Sequence, residues 1–334
     1  MFIVQGYTLA VVFCFITMLC WGSWANTQKL VAGKWRFELF YWDYVFGILL
    51  CSLLAAFTLG SYGSSGRSFM DDLKQAGLNN IGNAFLGGII FNLANILLTA
   101  AIAIAGMAVA FPVGIGIALI LGVMINYAGM QKGDAVTLFA DVALVAMAIV
   151  LNAMAYKKSA GPSQKASVKG IFLSVTAGIA MSFFYRFVAA SMDVENFEQP
   201  AATKMTPYTA FVIFAIGITV SNLLFNTFIM RRPLEGPPVT YGMYFRGKLS
   251  LHLVGLLGGV IWGIGNLFNL LAAGKAGPAI SYGLGQGATL VAAIWGVWVW
   301  KEFKNAPARV TWLLTGMFLC FITGLALIIY AGLV

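Results

Sequence analysis

The run Gly87-Gly88-Ile89-Ile90-Phe91-Asn92-Leu93-Ala94-Asn95 opens a stretch that continues to Leu119. It returns as Gly258-Gly259-Val260-Ile261-Trp262-Gly263-Ile264-Gly265-Asn266, continuing to Leu290. The offset is 171 residues, and 11 of the 33 aligned positions are identical without a gap. Apolar composition alone can match Leu to Ile by chance. It does not set Gly87, Gly88, Gly106, Gly114 and Gly116 against Gly258, Gly259, Gly277, Gly285 and Gly287, or Asn95 against Asn266. The stretch marks an internal duplication, and the rest of the chain is organised around it.

Composition sets the solvent in which the duplicated units fold. The chain is 60% hydrophobic and only 9% charged, where a soluble domain carries about 25% charged residues. Its apolar runs are continuous and about 20 residues long, the length that crosses about 30 Å of hydrocarbon as helix. An outer-membrane barrel would alternate in short segments instead. Ten spans are expected, near 5–26, 39–60, 79–104, 107–129, 135–156, 168–190, 207–229, 251–274, 277–300 and 310–332. Met1 to Gly6 holds no Lys or Arg, so the first run lacks a signal-peptide n-region and is kept as the first helix.

The duplication covers spans 3 and 4 and then 8 and 9, so the unit is five helices. Residues 1–156 form the first repeat, 157–167 a cytoplasmic linker and 168–334 the second repeat. Five is odd, so the second unit enters the membrane from the opposite side. The expected fold is an all-α polytopic membrane protein of ten helices in two inverted repeats. Alternate connections carry 14 basic residues on one face and 5 on the other, with Arg186 inside span 6. The basic face is read as cytoplasmic, with both termini outside, in an inner (plasma) membrane. The formal charge of +9 then faces anionic lipid headgroups, and no extramembrane domain exists to bind nucleic acid. Ser61 to Ser68 and Ser159 to Ser167 read as plain linkers.

Charge inside the spans is rare, which makes each case a candidate for function. Asp43 lies a turn into span 2, Asp141 in span 5 and Arg186 near the middle of span 6. Asp43 and Asp141 are candidates to carry a coupling ion. Arg186 is a candidate gate or ion-pair partner, and a pair with Asp141 would serve equally as gate or as glue. Asn92, Asn95 and Thr99 fall at i, i+3, i+7 and share one helix face. Asn266 and Asn269 repeat the first of these spacings. Amides in lipid must turn toward protein, either to hold helices together or to touch solute. Gln286 and Tyr282 lie one turn apart in a glycine-dense span. Trp21 and Trp24 close span 1, where they either stack on a flat solute or form an interfacial belt.

Enzyme chemistry finds no support. One histidine, His252, and four cysteines without CxxC spacing make neither a metal site nor a nucleophile–base pair, and no cofactor is expected. No nucleotide-binding loop is present, so ATP-driven transport by this chain alone is also unsupported.

The ten-helix, two-unit plan resembles the drug/metabolite transporter superfamily. Gly258 to Leu267, Ala279 to Gln286, Trp298 to Phe303 and Trp21-Gly22-Ser23-Trp24 resemble the bacterial glucose/ribose porters. Asp43-Tyr44, Tyr208-Thr209-Ala210-Phe211 and Gly265-Asn266 are similar to the plant ureide permeases. That second resemblance implies import of allantoin and nucleobases with protons. The fourth span ends Asn126-Tyr127-Ala128-Gly129, without the acidic residue that Glu302 supplies in the other half. The expectation is a secondary transporter importing a small neutral polar solute with protons, a monosaccharide first. Ureide or nucleobase symport and passive facilitation are the alternatives. Its partners are the solute, a proton or other coupling ion and membrane lipid, and the chain acts as monomer or homodimer.

Overall fold

The computed structural model describes residues 1–63, 65–159, 167–301, 303–304 and 306–333, without the side chains of Ala108, Tyr156 and Lys157. Most of the expected linker, and Glu302, lie outside these residues. Among the described residues ten helices are long and apolar enough to cross a membrane, and they match the expected spans one for one. Span 1 is α1 (Tyr7–Ser23), continued through Trp24, whose backbone keeps helical angles of φ -56° and ψ -36°, by α2 (Ala25–Val31). Span 2 is α3 (Phe37–Phe57), and a short α4 (Phe69–Gln75) follows it. Spans 3 to 5 are α5 (Leu78–Ala105), α6 (Met107–Gly129) and α7 (Ala135–Ser159).

The second half opens with α8 (Val168–Ser191), α9 (Pro207–Arg231) and a short α10 (Tyr241–Phe245). Span 8 is α11 (Leu249–Ala276). Span 9 runs as α12 (Pro278–Gln286), α13 (Ala288–Ile294) and a π turn over Trp295–Val299, and α14 (Ala308–Ala331) closes the bundle. The break in span 9 falls at Gly287, after Gly283 and Gly285, where glycine weakens the helix most. Pro207 and Pro278 sit in the first turns of α9 and α12, where a missing N–H costs nothing. Leu54, Leu224, Phe172 and Leu319 stand exposed on the outer faces of the bundle, where hydrocarbon replaces water.

The duplicated helices interlock the two halves. α5 packs on α8 and α9, while α11 packs on α1 and α3, and α7 packs on α14. The crossings need glycine. A Cβ on Gly88 would lie 2.2 Å from the Phe214 carbonyl oxygen, and one on Gly217 would lie 2.3 Å from that of Phe85. In the other half, a Cβ on Gly259 would lie 1.9 Å from the Tyr44 oxygen, and one on Gly47 2.2 Å from that of Leu256. Phe85 and Gly88 become Leu256 and Gly259 under the duplication offset. Two equivalent backbone-to-backbone crossings therefore exchange partners between halves, consistent with the expected inversion. Contacts this close give van der Waals packing that larger side chains forbid.

Of the two stretches read as plain linkers, Ser61 to Ser68 leads into built structure, and most of Ser159 to Ser167 lies outside the described residues. Arg67 Nε donates to Asp72 at 2.9 Å, and its Nη atoms reach the Pro200 and Lys204 carbonyls at 2.7 and 2.5 Å. The buried Asp72 also accepts from the Thr206 amide at 2.7 Å, while Thr203 N donates to Gln75 Oε1 at 2.7 Å. The loop before α5 is thereby fastened to the loop before α9. Glycine and serine content reported flexibility of the chain, but not the arginine fork that orders it.

Candidate functional site

An aromatic cluster occupies the middle of the bundle, where α1, α5, α6, α8, α11 and span 9 meet. Trp21 and Trp262 stack with ring centroids 5.6 Å apart and planes 8° from parallel. Phe91 lies 4.3 Å from Trp262 and 5.2 Å from Phe184, and Phe214 stacks on Trp262 at 6.1 Å. Between them is a cavity of about 20 Å³ lined by Trp21, Trp24, Asn95, Phe184, Trp262 and Gln286 among others, room for about one water molecule. The centre is closed around its polar groups.

Four of the sequence candidates meet at this cavity: Trp21, Trp24, Asn95 and Gln286. Both indoles are buried inside the bundle, so neither forms an interfacial belt. Asn95 Nδ2 lies 3.4 Å from Tyr41 Oη, which donates to Asn92 Oδ1 at 3.0 Å, and Asn92 Nδ2 donates to Ser221 Oγ at 3.0 Å. Asn92 thus stands behind Asn95 and ties α5 to α3 and α9. Asn266 is buried, and among the described residues its Nδ2 has no partner. Asn269 Nδ2 donates to the Ser281 carbonyl at 2.7 Å, and Tyr282 Oη donates to the Met181 and Ala118 carbonyls at 3.2 and 3.3 Å. Neither Asn269 nor Tyr282 lines the cavity; both hold span 9 against its neighbours.

The charged candidates lie elsewhere. Asp43 turns away from the cavity toward α10 and α11. It accepts from Tyr244 Oη at 2.6 Å and sits 2.9 Å from His252 Nδ1. Burial and the adjacent carboxylate push the Tyr244 hydroxyl above its usual range, so it stays a donor. Gly255 makes room, since a Cβ there would lie 2.6 Å from that of Asp43. His252 keeps 22% of its side chain exposed, which gives the pair a route to water on the basic face. Asp141 is fully buried between α7 and α14, pressed against Gly324, and among the described residues neither oxygen has a hydrogen-bond partner. Arg186 does not reach it. Arg186 is exposed on the outside of the bundle with its guanidinium over Gly129 and, among the described residues, makes no ion pair.

Sequence reasoning missed the aromatic walls and the histidine. Phe91, Phe184, Phe214 and Trp262 are ordinary residues of apolar helices, and nothing in their spacing sets them apart. His252 entered only as an argument against metal; its pairing with Asp43 across α3 and α11 leaves no local trace.

A larger cavity, about 450 Å³, opens on the face of the basic loops. Gln28, Trp35, Phe37, Ile102, Gly106 and Met107 line it with Glu235 and Gly236 at the rim. Arg36 builds that rim, bonding Glu38 at 2.6 Å and the Glu235 and Pro237 carbonyls at 2.7 and 3.0 Å. A closed polar-aromatic centre thus lies beneath a vestibule on the basic face.

Comparison with known sequences bears on that geometry. The family model described as ureide permease matches residues 40–167 and 155–331. The chain belongs to the ureide permease family. Ureide permease 1 of Arabidopsis thaliana is 23% identical over 383 aligned residues, covering 98% of both chains. Ureide permease 2 of the same plant is also 23% identical, with the same coverage. A putative sugar uptake protein of Streptococcus pyogenes serotype M1 is 30% identical, but over 131 residues, 36% of this chain and 45% of that one. The resemblance to sugar porters is therefore partial, and the family is that of the ureide permeases. A solved crystal structure at 16% identity superposes on 95% of each chain with a TM-score of 0.60, which shows a shared fold. The chain is a multi-pass membrane protein of a transporter family.

Proposed function

We propose that this chain imports a small, flat, amide-bearing solute, a ureide such as allantoin or a nucleobase, by proton symport. The observation that carries the reading is the pair of facing indoles, Trp21 and Trp262, with the primary amides of Asn95 and Gln286 at their edge. A ureide ring presents flat faces for stacking and N–H and C=O groups around its rim. A primary amide offers one acceptor and two donors and complements such a rim. A ring held between the indoles needs their planes about 7 Å apart, two contact distances, against the 5.6 Å centroid separation seen here. Binding therefore accompanies opening of the centre, and rocking of the interlocked halves supplies it.

Asp43 is the candidate for the coupling proton, since His252 and Tyr244 connect it to the basic face while α3 presents Tyr41 and Tyr44 to the centre. Asp141 is the second candidate. A monosaccharide is the second reading for the solute, favoured by the 131-residue similarity to the streptococcal sugar uptake protein. The test is uptake into proteoliposomes of radiolabelled allantoin, uracil, xanthine, glucose and ribose, by the native chain and by Asp43→Asn. Allantoin or a nucleobase should accumulate under an inward proton gradient, and Asp43→Asn should keep exchange while losing accumulation. Accumulation of glucose or ribose alone overturns the solute class; accumulation by Asp43→Asn removes that residue from coupling.

A further inference from the structure

Three helices run from the central cavity to the vestibule. On α5, Phe91 and Asn95 line the cavity, and Ile102, Ala103 and Gly106 line the vestibule. Along α1 and α2, Trp21 and Trp24 belong to the cavity, and Gln28, Lys29 and Ala32 to the vestibule. On α6 the same division separates Phe111 from Met107. From Asn95 to Ile102 is seven residues, about 10 Å of helix, and Thr99 lies midway. There the Gln28 side chain crosses from α2 to α5, and its Nε2 donates to the Thr99 carbonyl oxygen at 3.1 Å. Gln28 is 7% exposed, and among the described residues its buried Oε1 has no hydrogen-bond partner.

We infer that Gln28 is the gate between the central site and the vestibule, closed by its hydrogen bond to Thr99 and opened by an amide-bearing solute. The Thr99 carbonyl can only accept, so the bridge uses the amide nitrogen and leaves Oε1 spare. A buried amide oxygen without a partner is unfavourable, and it is relieved when a solute N–H arrives beside it. Gln28 sits on α2, about one turn beyond Trp24 in the same span. Gln28 thereby becomes a polar subsite on the vestibule side, distinct from the amides of Asn95 and Gln286. Only the subsite part rests on the ureide reading; the gate itself rests on geometry alone.

The test uses a chain whose four cysteines are replaced and Ala288, which lines the central cavity and is 1% exposed, is changed to cysteine. Labelling by a membrane-impermeant maleimide is timed from the basic face and from the opposite face. Gln28→Leu keeps the bulk and removes both amide groups, and Gln28→Ala removes the bulk as well. Both should speed labelling from the basic face by about tenfold, the factor that one hydrogen bond supports, and leave the opposite face unchanged. An unchanged rate in Gln28→Leu overturns the hydrogen-bonded gate, even if Gln28→Ala is faster. Acceleration from both faces equally means a loosened bundle and also overturns it. Saturating allantoin or uracil should accelerate labelling of the native gate from the basic face and leave Gln28→Leu unaffected. If neither solute acts while Gln28→Leu is fast, the gate stands and the ureide subsite fails.

Discussion

Gly106 and Gly277 end equivalent helices with nearly the same backbone, φ 81° and ψ 157° against φ 85° and ψ 158°. Their surroundings differ. A Cβ on Gly106 would meet nothing within 4 Å, because it would point into open space. One on Gly277 would lie 2.9 Å from the Lys132 side chain, and one on neighbouring Gly274 would lie 2.7 Å from Phe197. One helix end opens on the vestibule, and the other is plugged by the side chains of Lys132 and Phe197. Burial, and secondarily the nearby Lys275, lowers the pKa of the Lys132 ammonium. The arginine fork of Arg67 then straps the loops over it. The lesson is that a symmetric scaffold gains direction from the residues that decorate its ends.

The comparison breaks most directly at Arg67. Arg67→Ala strands the fully buried Asp72 carboxylate, and breaking a buried pair costs about 3 kcal/mol or more. Thermal unfolding in detergent should fall by several degrees, and Arg67→Lys should not rescue it, since an ammonium cannot hold the Pro200, Ala201 and Lys204 carbonyls and the Asp72 carboxylate at once as the guanidinium does. A melting temperature within error of the native chain would mean that the strap is decoration.

Ala105 and Ala276 occupy the same position in the two repeats, half-buried and fully buried respectively. With cysteine at each in turn, an impermeant maleimide should label position 105 at least about tenfold faster, a difference of about 1.4 kcal/mol in access. Equal rates would dissolve the distinction between the two faces. Arg67→Ala should narrow the gap by speeding position 276 alone.

The smallest effect compares Gly106→Ala with Gly277→Ala. Both force a side chain into backbone geometry reserved for glycine, at about 1–3 kcal/mol each. Gly277→Ala also overpacks Lys132, which adds about 1 kcal/mol. The melting temperature should fall further for Gly277→Ala, and the reverse order would place the crowding on the wrong face.

How much of this was legible beforehand depended on range. Asn95 and Gln286, which line the central cavity, stand out as candidates in the sequence because an amide in an apolar helix announces itself whatever its neighbours. Trp21 and Trp24 were found as a pair, but their depth was not, since an indole fits a membrane interface and a packed core alike. Asp43 was singled out by its charge, yet its partners Tyr244 and His252 stand about 200 residues away, and no local pattern links them. The suspected meeting of Arg186 with Asp141 failed for the same reason: two charges in two helices say nothing about which faces those helices share.

By itself, the sequence determined the ten spans, the duplication and the polar residues forced inward, because length, hydropathy and an unsatisfiable amide are properties of a helix in lipid, whatever it packs against. Tertiary structure alone decided which amides line the cavity, which aromatics wall it, and which face is strapped shut. Those outcomes depend on the rotation and crossing of helices from opposite halves, set by backbone contacts at Gly47, Gly88, Gly217 and Gly259. A glycine records that something comes close; only the fold says what.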